Sequence, residues 1–232
     1  MVESLDYQIM FTILGLPINA TLFYTWLLMA VLVLGSWLAT HHLSTGPHIG
    51  RVQAILEMLV SSFKQQIKDV ANDNPLKYIS FISTLFVFIA FSNLLSIIPW
   101  FQQPTASLST TSAFAFCVFV AIPYYGIINA GISGYFKKFI SPTPLLLPLN
   151  ILSDFSSTFA LAFRLYGNML SGGIIVSVVM MLVPFFIPLP VQLLGLLTGM
   201  IQAYIFALLA IVYVSAVAPV AGFVELDTKK GE

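Results

Sequence analysis

Five long apolar runs, separated by short polar breaks, organise this chain of 232 residues. The first runs from about Thr21 to Thr40. A bilayer core about 30 Å thick is crossed by roughly 20 helical residues, so this run is long enough to span. Trp26 and Trp37 lie near its two ends, where membrane-interface aromatics collect. A second span is expected over 76–98, stopping at Pro99, and a third over 109–135, with Ser109 or Thr110 as its cap. Pro123 should kink that third helix or have its freed carbonyl satisfied by a neighbour. The fourth and fifth runs, 149–183 and 190–223, are joined by a turn containing Pro184, Pro188 and Pro190. At 1.5 Å per residue each would be about 50 Å long as a helix. That exceeds the bilayer core, and predicts a steeply tilted hairpin or protruding ends.

One segment has a different period. Between Arg51 and Val70, Val52, Ile55, Leu56, Leu59, Phe63, Ile67 and Val70 recur at spacings of three and four, with Arg51, Glu57, Lys64, Lys68 and Asp69 between them. This predicts an amphipathic helix that lies on the membrane, packs on other protein, or does both. Asn72, Asp73, Asn74 and Pro75 end it. The expected fold is therefore all-α: five transmembrane helices and one surface helix, in a single membrane domain without internal repeats. Residues 224–232 form a charged tail.

Composition agrees with the pattern. The chain is 59% hydrophobic and 8% charged, with zero net charge. A soluble domain carries roughly 25% charged residues, so most of this surface must face lipid. The basic residues form no nucleic-acid-binding cluster. Cys117 stands alone in an apolar run, which excludes a disulfide framework or a thiolate metal site. His41, His42 and His48 fall at the end of the first span and in the loop after it, and suit the interface better than a ligand set. The segment Met1–Asp6 is acidic, which argues against a cleaved signal peptide. Apart from Arg164, Lys and Arg fall at 51–77, 137–138 and 229–230. Five crossings put all three groups on one side, which should be cytoplasmic. The amino terminus is then outside, and the uncharged 99–108 loop with it.

The candidate chemistry sits in the last two runs. Between Phe139 and Val224 the only charged side chains are Asp154 and Arg164. An arginine near the middle of a span costs roughly 2.5–3.5 kcal/mol on insertion scales. A guanidinium keeps its proton in proteins, unlike a desolvated ammonium. Asp154 lies about 15 Å away along the same helix, too far to pair. The expected counter-charge belongs to another chain; structural contacts to carbonyls and buried water are the alternative. Ser153, Ser157, Arg164, Asn168 and Ser171 fall on one helical face. Gly167, Gly172 and Gly173 beside it permit close approach of a second backbone. In the next run Gly195, Thr198, Gly199 and Gln202 share a face, and a mid-membrane Gln202 needs hydrogen-bond partners. Helix packing is the simpler account of Gly195 and Gly199. Asp154 is either the lining of an aqueous entry or a first-turn acid favoured by the helix dipole.

The run Arg164-Leu-Tyr-Gly-Asn168-Met resembles the signature of subunit a of F-type ATP synthases, usually Arg-Leu-Phe-Gly-Asn-Met. Gln202-Ala-Tyr-Ile-Phe, with Tyr213 beyond it, resembles that family's last helix. Phe91-Ser-Asn93-Leu-Leu with Pro99 resembles the end of its second span, and Gly134-Tyr-Phe-Lys-Lys138 its cytoplasmic loop. The likeness covers roughly residues 50–220. It implies a non-catalytic stator subunit of the membrane sector Fo, in a bacterial cell (inner) membrane. Its partners would be a rotating ring of c subunits and b-type peripheral-stalk subunits. Two offset half-channels would lead ions to and from the ring carboxylates. Arg164 would face the ring between them, with Asn168 and Gln202 in support. Asp154, Ser153, Ser157, Ser171, Asn93 and Tyr213 are candidates for lining those channels. No cofactor, metal site or catalytic residue is implied. The chain departs from the family where Gly173, Gly195 and Ser107 replace ionisable residues. The outer half-channel thus loses its titratable groups. The proton remains the expected coupling ion, and sodium, which needs oxygen ligands rather than titration, is the alternative. A free-standing channel or secondary transporter would predict repeats or broken half-helices, and a passive scaffold would tolerate loss of Arg164.

Overall fold

The computed structural model describes residues 9–13, 16–41, 50–71, 77–98, 101–140, 146–183 and 187–216. Six helices carry nearly all of it: α1 (Ala20–His41), α2 (Arg51–Ala71), α3 (Ile79–Leu95), α4 (Leu108–Ile140), α5 (Leu146–Leu182) and α6 (Pro188–Ala216). Four of them, α1, α4, α5 and α6, contain stretches long and apolar enough to cross a membrane. The fifth apolar helix, α3, has 17 residues, at the short end of the roughly 17–25 that span a bilayer. The amphipathic α2 is the sixth. The all-helical membrane architecture expected from the apolar runs is thus present. The final residues assigned to the fifth span, and the charged tail, lie outside the described residues, as do His42 and His48.

The core is shared by α3, α4 and α6. The buried stripe of α6 runs Gly199, Gln202, Ala203, Phe206, Ala207, Ala210, Val214, one or two residues in each turn. Its small residues let neighbouring helices approach closely, which is how helices gain packing in lipid. Against it lie Ile82, Leu85 and Ile89 of α3 and Val118 and Ile122 of α4. From α5 come Leu161, Leu165 and Met169. The surface helix α2 contributes Phe63 and Ile67, both buried. Phe63 meets Phe86 edge to face, ring centroids 5.0 Å apart. Upstream in α2, Ile55 and Met58 stay open to the exterior. Packing on protein, one of the two alternatives for this segment, thus holds for its second half, while its first half keeps apolar side chains exposed.

Four details differ from the sequence-based expectation. First, an antiparallel hairpin precedes α1, β1 (Ile9–Ile13) with β2 (Leu16–Asn19). Second, regular helix α3 ends at Leu95, short of Pro99. Its next three N–H groups, Ser96 to Ile98, bond three residues back rather than four, the tightened geometry common at helix ends. Third, α4 starts at Leu108, so Ser107, not Ser109 or Thr110, precedes the first turn. The Ser107 carbonyl accepts the Thr111 N–H at 3.2 Å. Fourth, α4 stays helical through Pro123 and breaks at Gly131, where φ is +71°. With ψ at 166° this is a region open essentially to glycine, where a residue with a side chain pays on the order of 1–3 kcal/mol.

The uncharged loop before α4 does not splay into solvent. A 3-10 turn, Pro104–Ala106, folds back into the bundle, and Pro104, Thr105 and Ser107 are buried. Thr105 Oγ1 and Ser92 Oγ of α3 are 3.1 Å apart. That contact gives two buried hydroxyls a mutual partner, as burial in an apolar setting demands.

The long hairpin holds the candidate chemistry. α5 has 37 residues and α6 has 29, so they measure about 55 and 43 Å. Both exceed a bilayer core of about 30 Å. They pack along one another, with Pro188 buried at the start of α6.

Candidate functional site: a polar layer across three helices

Arg164 lies near the centre of α5 and is exposed. No hydrogen bond or ion pair to it is made among the described residues. Its helix neighbours are small: Ala160, Gly167 and Ser171 are exposed on the same side. A Cβ added at Gly167, Gly172 or Gly173 would meet nothing within 4 Å. Among the described residues, the close approach these glycines permit is therefore not used. The arginine stands on an open face of small residues, on a helix too apolar to face water along its length.

The other end of the same face is anchored inward. Asn168, one turn on from Arg164, is half-buried, and its Nδ2 donates to the Thr198 carbonyl of α6 at 3.4 Å. Ser171 Oγ donates to the Asn168 carbonyl at 3.1 Å. Ser153 is exposed and Ser157 half-buried. Asp154 is half-buried, and Thr158 Oγ1 donates to its carbonyl at 2.8 Å. Because α5 begins at Leu146, Asp154 is two turns inside the helix, and the first turn holds no acid. The first-turn explanation of Asp154 is thereby corrected: the dipole effect fades within one turn.

On α6, Gln202 is 7% exposed, and its Nε2 has no hydrogen-bond partner. A buried amide N–H left unbonded costs about 1–3 kcal/mol, so few such groups persist without a reason. Asn93 of α3 is 1% exposed, and its Nδ2 donates to the Gly199 carbonyl at 2.7 Å. A Cβ at Gly199 would sit 3.0 Å from Asn93 Cγ and Nδ2. Gly195 has no such neighbour. Of the two glycines expected to serve packing, only Gly199 meets another helix. Tyr213 is half-buried and packs beside both apolar clusters.

Two further residues join this layer without having been singled out from sequence. Gln103 Nε2 lies 3.4 Å from Asn93 Oδ1 and 3.5 Å from the Ser92 carbonyl. Gln192 Nε2 donates to the Ser96 carbonyl at 3.1 Å. Both amides serve carbonyls that the end of α3 leaves unpaired. The only signal in the sequence is glutamine in an otherwise apolar or uncharged context. Among the described residues no group of three or more His, Cys, Asp or Glu side chains is placed to hold a metal.

The molecule so defined is a polytopic helical membrane protein with an uncompensated arginine on the open side of its longest hairpin. Its sequence matches the family model for the ATP synthase A chain over residues 22–215. It is 50% identical over 203 residues to ATP synthase subunit a 2 of Acaryochloris marina, covering 88% of this chain and 87% of that one. Identity is also 50% over 201 residues to ATP synthase subunit a of Albidiferax ferrireducens, covering 87% of each chain. ATP synthase subunit a 1 of Chlorobaculum parvum is 48% identical over 201 residues, 87% of this chain and 89% of that one. The chain belongs to the ATP synthase subunit a family, the membrane-embedded a subunits of Fo.

Proposed function

We propose that this chain is the stator subunit through which transmembrane ion flow is coupled to ATP synthesis or hydrolysis, and that Arg164 is the residue on which coupling turns. The observation that carries the reading is the exposed, unpaired guanidinium near the centre of a 37-residue apolar helix. Left against lipid it would cost several kcal/mol. A carboxylate from an adjoining ring of c subunits removes that cost. At 4 Å and an effective dielectric near 20 the attraction is about 4 kcal/mol before desolvation. That is enough to favour the ionised carboxylate and weak enough to release it as the ring turns. The small residues around Arg164 give a ring helix room to approach.

Asn168 and Gln202 support the arginine from the two helices of the hairpin. Ser153, Asp154, Ser157 and Ser171 line the route on the Arg164 face, and Asn93 and Tyr213 belong to the channel walls or their supports. The b-type stalk subunits complete the stator. The amino-terminal hairpin lies outside and the end of α6 inside a bacterial inner membrane. The chain does no bond chemistry of its own.

The proton is the proposed coupling ion. Sodium is the second reading, favoured by one observation: the buried cluster of Ser92, Asn93, Gln103, Thr105, Ser107 and Thr111 offers oxygens and amides but no carboxylate. Sodium-dependence of ATP hydrolysis by the purified complex decides between them.

The main test is Arg164→Ala in the assembled ATP synthase. ATP-driven ion pumping in inverted vesicles should fall to background while the subunit remains in the complex. Retained pumping would reduce the chain to a scaffold.

A further inference from the structure

We propose that Asn93 is a positioning residue: it clamps the turn of α6 that carries Gln202, and so holds Gln202 in register with Arg164. The proposal rests on the reading of Arg164 and Gln202 as the ion-translocating pair.

Two adjacent carbonyls of α6 accept hydrogen bonds from neighbouring helices. Asn93 Nδ2 donates to the Gly199 carbonyl from α3 at 2.7 Å. Asn168 Nδ2 donates to the Thr198 carbonyl from α5 at 3.4 Å. In an α-helix those carbonyls accept the N–H groups four residues on, Gln202 and Ala203. Two asparagine amides from opposite helices therefore grip α6 one turn before Gln202. One of them, Asn168, is itself one turn from Arg164. The three helices are pinned in a single layer that contains both functional side chains.

Steric fit makes the grip specific. Asn93 is buried, and a Cβ at Gly199 would lie 3.0 Å from two of its side-chain atoms. That is tighter than nearly all real Cβ contacts, so the Asn93 side chain would have to shift to admit a methyl group. Glycine at 199 and asparagine at 93 are one complementary pair: one supplies the amide, the other the space. Gln103 Nε2, 3.4 Å from Asn93 Oδ1, fixes which way the amide faces. A side chain so engaged and so buried is a strut, and water has little access to it.

Gln202 needs such a strut. Its amide is buried with Nε2 unpartnered, so its own hydrogen bonds do not fix its place. Its position is inherited from the rotation and height of α6. Released from Asn93, the turn of α6 before Gln202 keeps only the Asn168 tie, and a small shift of that turn moves the amide with it.

The experiment is a pair of double-mutant cycles in the complete ATP synthase, read as ATP-driven ion pumping in inverted vesicles and normalised to assembled subunit. Asn93→Ala should lower pumping about two- to tenfold, the scale of one hydrogen bond. Asn93→Leu, of similar size but unable to donate, should do no better than alanine. If Asn93 acts through Gln202, then Asn93→Ala costs little once Gln202→Ala is present, a non-additivity that a general packing role does not produce. Gly199→Ala should impair pumping alone and be relieved by Asn93→Ser, which clears the space for the methyl group. This second cycle holds even where Asn93→Ala lowers assembly. Full pumping in Asn93→Ala, additive losses with Gln202→Ala, or no relief of Gly199→Ala each overturns the proposal. Failure of the functional reading is seen separately, as retained pumping in Arg164→Ala.

Discussion

Arg164 is held in place by what surrounds it rather than by a bond of its own. Leu161 and Leu165 on either side are buried against α4 and α6, and Asn168 ties the next turn to α6. The backbone beneath the guanidinium is thus fixed while the charge faces outward. This explains why a shorter-range cation is a poor substitute. Arg164→Lys preserves the charge in water, but a desolvated lysine sheds its proton readily. Its point charge also lacks the planar fork that meets a carboxylate with two parallel bonds. The expected outcome is a complex that assembles at normal levels and fails in ATP-driven pumping, checked by immunoblot and acidification of inverted vesicles. Pumping above about a tenth of the wild-type rate, a barrier change of only about 1.4 kcal/mol, would mean that any cation suffices here. The arginine was legible in the sequence because a charge in an apolar run is conspicuous in one dimension. The clamp was not. Asn93 and Gly199 are 106 positions apart, and nothing in either local stretch announces the other.

At the scale of elements, apolar runs identified the helices well, because twenty consecutive apolar side chains have few other solutions in a bilayer. Their ends and breaks depended on contacts that periodicity does not carry. Pro123 was the expected irregularity in α4, yet helical geometry passes through it, and Gly131 takes the break. Proline without its N–H is tolerated in a membrane helix when neighbours accommodate the freed carbonyl. A positive φ, in contrast, restricts the residue type. Gly131→Ala should therefore cost on the order of 1–3 kcal/mol, although a Cβ there meets nothing within 4 Å. The loss comes from backbone strain alone, and Gly131→Asn, whose tolerance of positive φ is confined mostly to the left-handed helical region, should recover little of it at ψ 166°. Thermal stability of the detergent-solubilised complex should place glycine above both asparagine and alanine; an alanine variant as stable as wild type contradicts the assignment. The same limit explains the loop before α4. An uncharged polar segment passes for an exposed loop until Ser92, Gln103 and the carbonyls at the end of α3 are found to bond it inside.

Across the whole molecule, the two ends of the bundle differ in charge. The amphipathic α2 carries Lys64 and Lys68, both exposed, and packs Phe63 and Ile67 beside Tyr78 at the start of α3. Tyr78 in turn meets Tyr125 of α4, ring centroids 5.0 Å apart. Lys77, next to Tyr78, is exposed at that same end. The opposite end holds the 3-10 turn, Gln102, Gln103, Ser107 and Ser109, with no formal charge. Basic residues stay on the cytoplasmic side because short basic loops resist translocation, so the α2 end should face the cytoplasm. Single cysteines test this in a Cys117→Ser background. Lys77→Cys should react with a membrane-impermeant maleimide in inverted vesicles and stay unlabelled in intact cells stripped of their outer barrier. Ser109→Cys should show the reverse. Labelling of both positions from one side contradicts five crossings, since the α3 span between 77 and 109 would then fail to cross. With the reverse assignment, the carboxylate-free cluster would open to the cytoplasm and Asp154 outward. The sidedness measurement therefore also fixes which aqueous route to the ring lacks titratable groups.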